Sequence, residues 1–250
     1  MATLERFISI PYHGERGEDC WAWGGSNSGA TAWVLCDGAS ESYDATGWAE
    51  TLAMSIVDGI LNFERVPRTG RRNLQKLLEL WIHRARRIYQ SNNKNQLSAD
   101  DWLSRASQDR GSWATLLAIR ISPGAQALTV WTVGDTELFV LDHYRDVLHL
   151  PILEREAFSL TPSLIGNSKQ ATIPQCRIWN LQLQRLKQPR LILCTDALAA
   201  FMLAHHERER SLWWEFITKA PLKTVIDELA QTRETGALAT DDCTLLELRP

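Results

Sequence analysis

Four apolar, strand-like runs each meet an aspartate at one end: "TAWVLCDG" at Asp37, "LTVWTVGD" at Asp135, "RLILCTD" at Asp196 and "ATDDCTLLEL" at Asp241–Asp242. An acidic pair, Glu18–Asp19, opens a further run, "CWAW". One Asp-Gly after a strand reads as a turn. Several strand-end carboxylates at one edge would repel each other and raise each other's pKa unless a cation neutralised them. Carboxylate oxygens with no histidine or thiolate beside them suit a hard cation, Mg²⁺ or Mn²⁺, that keeps several waters. Such a centre would supply a metal-activated water and clamp the oxygens of a phosphoryl group. Periodicity alone leaves open whether these ends converge.

The elements that must position them follow from the hydrophobic pattern. "RFISI", "DCWAW" and "ATAWVLCD" read as strands, the second with period-two tryptophans. Trp48, Leu52, Ile56 and Ile60 lie four apart, which predicts an amphipathic helix with Asp44 as its N-cap. After "RTGRR", a second helix places Leu74, Leu77, Leu78, Trp81, Ile82, Ala85 and Ile88 on one face, with Arg84, Arg86 and Arg87 on a solvated face. A short helix is expected from Ser98. "SWATLLAIRI", "ALTVWTVGD", "TELFVLD" and "DVLHL" predict an antiparallel meander with turns at Pro123-Gly124, Gly134-Asp135 and around His143. Residues 151–175 read as irregular. Two strands, "CRIWNLQL" and "RLILCTD", then three helices and a closing strand, "DCTLLELRP", complete the chain. With strands early, in the middle and last, and no linker or repeat, the pattern predicts one interleaved α+β domain over residues 1–250.

Composition narrows the function classes. A net charge of −3 over 250 residues gives no support for nucleic-acid or membrane-surface binding driven by basic charge. The acidic strand ends carry no basic stripe, which disfavours a nuclease. Cys20, Cys36, Cys176, Cys194 and Cys243 are scattered without a CxxC spacing and read as reduced thiols, not a zinc site. The eleven tryptophans show no repeat and read as core. The N-terminus carries Glu5 and Arg6 in place of a long apolar core, and no later run reaches the roughly 18–20 apolar residues of a membrane span. A soluble, cytoplasmic protein is expected.

In order, "RGEDCWAW", "VLCDGASESYDATGWAETL", "GSWATLLAI", "VWTVGDTELFVL", "LILCTDAL" and "TDDCTLLEL" resemble the motif series of the 2C-type, metal-dependent protein serine/threonine phosphatases, in a bacterial-like form. The resemblance spans about residues 6–250. It implies a four-layer αββα sandwich, two antiparallel sheets flanked by helices, with a centre of two Mn²⁺ or Mg²⁺ ions at one end. Asp37 would bridge both ions and Gly38 would offer its carbonyl to one, the missing side chain letting the backbone approach. Asp196 and Asp241 would bind the other ion. Glu18 and Asp19 match ligands acting through water or from behind, and Asp135 matches the position of an accessory third ion. The implied partner is a phosphorylated protein, a kinase target, and the implied nucleophile is water activated between the ions.

Several positions depart from that pattern. Gly14 stands where the phosphate-binding arginine is usual, and Arg16, two residues before Glu18, is the candidate to replace it. Trp113 occupies a position usually small and polar. Ala197 replaces a glycine, which requires a negative φ. No histidine follows Asp37-Gly38; His13 is nearby, and a surface loop histidine is its plainer reading. These departures motivate a rival reading, a weak or inactive phosphatase-like module that binds partners.

Overall fold

The structure, a computed structural model, describes residues 2–12, 17–62, 70–93, 111–143, 145–151, 158, 162–209 and 212–250. Its strands are β1 (Thr3–Ile10), β2 (Cys20–Gly25), β3 (Thr31–Cys36), β4 (Trp113–Ala114), β5 (Leu116–Ile121), β6 (Ala127–Val133), β7 (Glu137–Asp142), β8 (Arg145–Leu150), β9 (Ile165–Gly166), β10 (Arg177–Gln182), β11 (Pro189–Cys194) and β12 (Cys243–Arg249). The helices are α1 (Ala45–Leu61), α2 (Arg71–Asn93), α3 (Asp196–Glu209), α4 (Leu212–Lys219) and α5 (Leu222–Glu234).

All strand pairs are antiparallel. One sheet runs β1-β12-β11-β7-β8, the other β10-β6-β5-β3-β2, and β4-β9 form a small separate pair. The meander expected from the sequence is divided between the sheets: β5–β6 form a hairpin in one, β7–β8 in the other, and Gly134-Asp135 carries the chain across. Gly134 makes that crossing with φ +96, and a Cβ there would sit 2.7 Å from Thr115 Cγ2. A side chain at 134 would be both strained and blocked.

Three apolar layers hold the sandwich together. Between the sheets lie Trp33, Leu117, Leu138, Leu193 and Leu246. α1 and α2 cover the second sheet through Trp48, Leu52, Ile56, Leu78 and Trp81, against Val34, Ala118 and Trp131. α3, α4 and α5 cover the first through Leu198, Trp214, Ile217 and Val225, against Ile8, Phe139 and Leu245. The result is the expected αββα sandwich. Each large apolar side chain buried in these layers contributes about 1.5–3 kcal/mol.

Two local details depart from the sequence reading. Ile88 is exposed, and Tyr89 takes the buried place, because the apolar stripe of α2 drifts around the helix over its length. Arg86 is not on a solvated face; it is 1% exposed. Its Nε donates to Gly166 O at 2.9 Å and its Nη2 to Ala171 O at 3.0 Å, so the charge is buried only because carbonyls receive it. The helix expected from Ser98 lies outside the described residues.

Candidate metal-binding cleft

β3 is buried along its whole length and ends at Asp37. Asp37 is held by a reciprocal pair: its N–H donates to Thr115 Oγ1 at 3.1 Å, and its carbonyl accepts from Thr115 N at 2.8 Å. Thr115 separates β4 from β5 and its hydroxyl lies 2.6 Å from Thr136 Oγ1. Gly38 bridges to Ala114. A Cβ at Gly38 would come within 2.9 Å of Glu18 O and 3.0 Å of both Ala45 Cβ and Ala45 O. Glycine is needed there to pack the Glu18 loop against the start of α1.

Asp44 caps α1 as expected, accepting from Gly47 N at 3.0 Å. Its other oxygen accepts from Tyr89 OH at 2.8 Å, tying the loop 38–44 to α2.

The cleft these elements form measures about 830 Å³, and Asp37, Gly38, Asp135, Asp196 and Asp241 all line it. Four acidic strand ends that lie far apart in the sequence are thus gathered in one place. Asp19 lies behind them, its Oδ2 accepting from Thr195 Oγ1 at 3.2 Å. Glu18 is not among the lining residues; its N–H donates to Asp242 Oδ2, and its carbonyl packs on Gly38. Arg16 and His13 lie outside the described residues.

The Asp241-Asp242 pair divides its work. Asp242 accepts from Tyr12 N at 2.6 Å and from Glu18 N, clamping the N-terminal segment. Asp241 lines the cleft, and Arg233 holds its carbonyl at 2.7 Å.

The electrostatics are those of uncompensated like charge. Burial raises the Asp37 carboxyl well above its usual range, and repulsion from Asp19, Asp196, Asp241 and Asp135 adds to it. Burial, with Asp196 and Asp241 nearby, pushes Asp135 up to about 7. Asp19 is pushed up to about 7, chiefly by burial and then by Asp242 and Asp196, against hydrogen bonds from Thr244 and Thr195. Asp196 rises to about 6 through burial and Asp241, offset in part by the N–H of Ala197, which donates to its Oδ1 at 2.6 Å.

Both oxygens of Asp135 and one of Asp19 are buried without a hydrogen-bond partner among the described residues. Among the described residues no lysine, arginine or histidine lines the cleft. This donor set, all oxygen and all anionic, fits hard divalent cations. Among the described residues no group of three or more His, Cys, Asp or Glu side chains is drawn together tightly enough to hold a metal ion as it stands.

The departures from the family pattern also find places. Ala197 lies inside α3 and is not among the residues with positive φ, so alanine fits. Trp113 lines the cleft and its ring packs flat over Gly166, where a Cβ would fall 2.7 Å from it. Sequence reasoning missed Thr115 and Thr195, which hold Asp37 and Asp19. Thr195 stands beside an acidic strand end in "CTD", whereas Thr115, in "WAT", has no acidic neighbour in the sequence.

The sandwich has the fold of the solved 2C-type serine/threonine phosphatases. A bacterial serine phosphatase superposes with a TM-score of 0.65 at 12% identity, covering 99% of this chain and 98% of that one. Serine/threonine phosphatase Stp1 from Staphylococcus aureus gives 0.65 at 16% identity, covering 99% and 95%. The Mycobacterium tuberculosis serine/threonine phosphatase PstP/Ppp gives 0.59 at 13% identity, covering 98% and 97%. No family model and no curated protein matches the chain. Among the described residues no helix is long and apolar enough to cross a membrane.

Proposed function

We propose that the chain is a Mn²⁺- or Mg²⁺-dependent protein phosphatase that hydrolyses phosphoserine or phosphothreonine on a cytoplasmic kinase target, through one domain spanning residues 1–250. The observation that carries this reading is a cleft on a phosphatase fold lined by Asp37, Asp135, Asp196 and Asp241, with no basic side chain among the described residues to neutralise them. A dianionic phosphoryl group could not enter such a cleft without cations.

Asp37 and the Gly38 carbonyl would hold one ion, with Asp37 shared by a second that Asp196 and Asp241 complete. Asp135 would serve an accessory ion, Asp19 and Glu18 would act from behind or through water, and Arg16 would bind the phosphate. Two such ions would supply an activated water and hold the phosphoryl oxygens. No covalent phospho-enzyme is required. The thiols do not suit one: burial raises all five, with Cys20, Cys176 and Cys243 pushed up to about 12 and Cys36 and Cys194 well above their usual value.

The direct test is hydrolysis of p-nitrophenyl phosphate and of phosphopeptides by the Mn²⁺-loaded protein against an Asp37→Ala control. Activity no higher than the control would end this reading. The rival, an inactive scaffold that binds partners, is favoured by Trp113 in the cleft wall. Calorimetric titration with Mn²⁺ separates the two: two-site binding lost in Asp37→Ala supports the enzyme, and no binding supports the scaffold.

A further inference from the structure

A second cavity, of about 840 Å³, lies between the start of α2 and the edge strand β10. Its walls include Arg72, Arg177, Gln75, Gln175, Ser163 and Trp179, and no acidic residue lines it among the described residues. Neither guanidinium has an ion-pair partner among the described residues. The floor is fixed by a bond from Cys176 N to Gln75 Oε1 at 3.0 Å, which pins the entry of β10 to α2. The carboxylate of Glu79, the nearest fixed acid on α2, is engaged by Gln75 Nε2 at 3.0 Å.

This cavity adjoins the acidic cleft through a partition one chain thick. Pro162 and Leu164 line the cleft, whereas Ser163 lines the arginine cavity. The partition rests on the crossing turn, since a Cβ at Gly134 would stand 3.1 Å from Ser163 O. A chain laid over residues 162–164 would therefore meet carboxylates on one side and two free guanidinium groups on the other. In a molecule of net charge −3, that separation of charge marks two different ligand groups.

We propose that the cavity lined by Arg72 and Arg177 binds a second anionic group, a carboxylate or a phosphate, borne by the same phosphopeptide whose phosphorylated residue occupies the cleft. This rests on the phosphatase reading for the occupant of the cleft. Guanidinium groups take either anion through paired N–H donors, and the hydroxyl of Ser163 and amide of Gln175 add uncharged donors. The pocket selects among phosphopeptides and takes no part in bond breaking.

The test uses the Mn²⁺-loaded full chain and a set of phosphothreonine peptides. One has neutral flanks. The others carry a single glutamate or a second phosphoserine, scanned over roughly five residues on either side, about 17 Å of extended chain. The best acid-bearing peptide is expected to show a kcat/KM roughly 3–10-fold above the neutral one, through KM, with the gain shrinking at high salt. The Arg72→Gln/Arg177→Gln double variant should abolish that gain while hydrolysing p-nitrophenyl phosphate at the original rate. Glutamate and phosphoserine arms distinguish a carboxylate pocket from a phosphate pocket. The proposal is overturned if no scanned position gives a gain, or if the gain persists in the double variant. If p-nitrophenyl phosphate is not hydrolysed at all, the phosphatase reading has failed instead. Fluorescence anisotropy of the labelled doubly acidic peptides then decides: weaker binding to the double variant supports the pocket, equal binding overturns it.

Discussion

Asp135→Asn is expected to stabilise the chelated protein at alkaline pH, although it alters a candidate ligand. Asp135 is 4% exposed, and neither carboxylate oxygen has a partner among the described residues. Its pKa is raised from 3.8 to about 7, by burial first and by Asp196 and Asp241 next. The folded protein therefore holds a proton there that the unfolded chain has released. Stability falls as pH rises through that window and is lowest above about 7. Between pH 8 and pH 5 the aspartate should recover about 1.36 kcal/mol for each of roughly two units, nearly 3 kcal/mol. The carboxylate faces an open cleft, so screening takes part of this, and about 1–3 kcal/mol is the working figure. The asparagine variant has no such term. Its advantage over wild type should shrink by that amount between the two pH values, however well the amide itself is accommodated. For a domain of this size that is a change of about 2–10 °C in the difference of Tm. Thermal unfolding by circular dichroism in chelator, at pH 8 and pH 5, reads it. A difference in Tm that is the same at both pH values would refute the claim that Asp135 is a buried, repelled carboxylate.

Asp196→Asn should lower Mn²⁺ affinity and turnover by at least about 100-fold, read by calorimetry and phosphopeptide hydrolysis. Because the amide oxygen of Asn can still accept from the Ala197 N–H, the chelated variant should melt no lower than wild type. Gly38→Ala should cost about 1–3 kcal/mol in urea unfolding, since its Cβ would press on the Glu18 carbonyl and Ala45; an unchanged midpoint would mean that this loop is loose. Arg86→Met should cost about 2–3 kcal/mol, because the carbonyls of Gly166 and Ala171 lose their donors. Trp113, which stacks on Gly166, should then become more accessible to acrylamide quenching in an Arg86→Met protein that keeps only this tryptophan of the cleft wall.

What the sequence determined by itself is local. Alternation placed β2, continuous apolar runs placed β3, β11 and β12, and four-residue spacing placed α1, because burial on one face or both leaves a local period. Asp44 was legible as a cap because capping involves only the next few residues, and the turns at Gly134 and His143 because each needs a particular backbone. The acidic strand ends were also legible as one candidate site, through residue type, order and family resemblance, and four of them line one cleft. Tertiary structure alone decided the rest. The division of β5–β6 and β7–β8 between two sheets depends on pairing with strands far along the chain, which no local period records. Arg86 looked solvated because its sequence neighbours are charged, yet the carbonyls that receive it belong to residues 166 and 171. Residue type alone did not separate Asp241 from Asp242, and the resemblance chose Asp241; packing turned Asp241 into the cleft and gave Asp242 to the amides of Tyr12 and Glu18. Asp196 lines the cleft while one of its oxygens takes the Ala197 amide, a division that only the packed structure decides. Burial first and repulsion second raise the carboxyl pKa values of the cleft, and both arise only once folding gathers carboxylates that lie far apart in the chain.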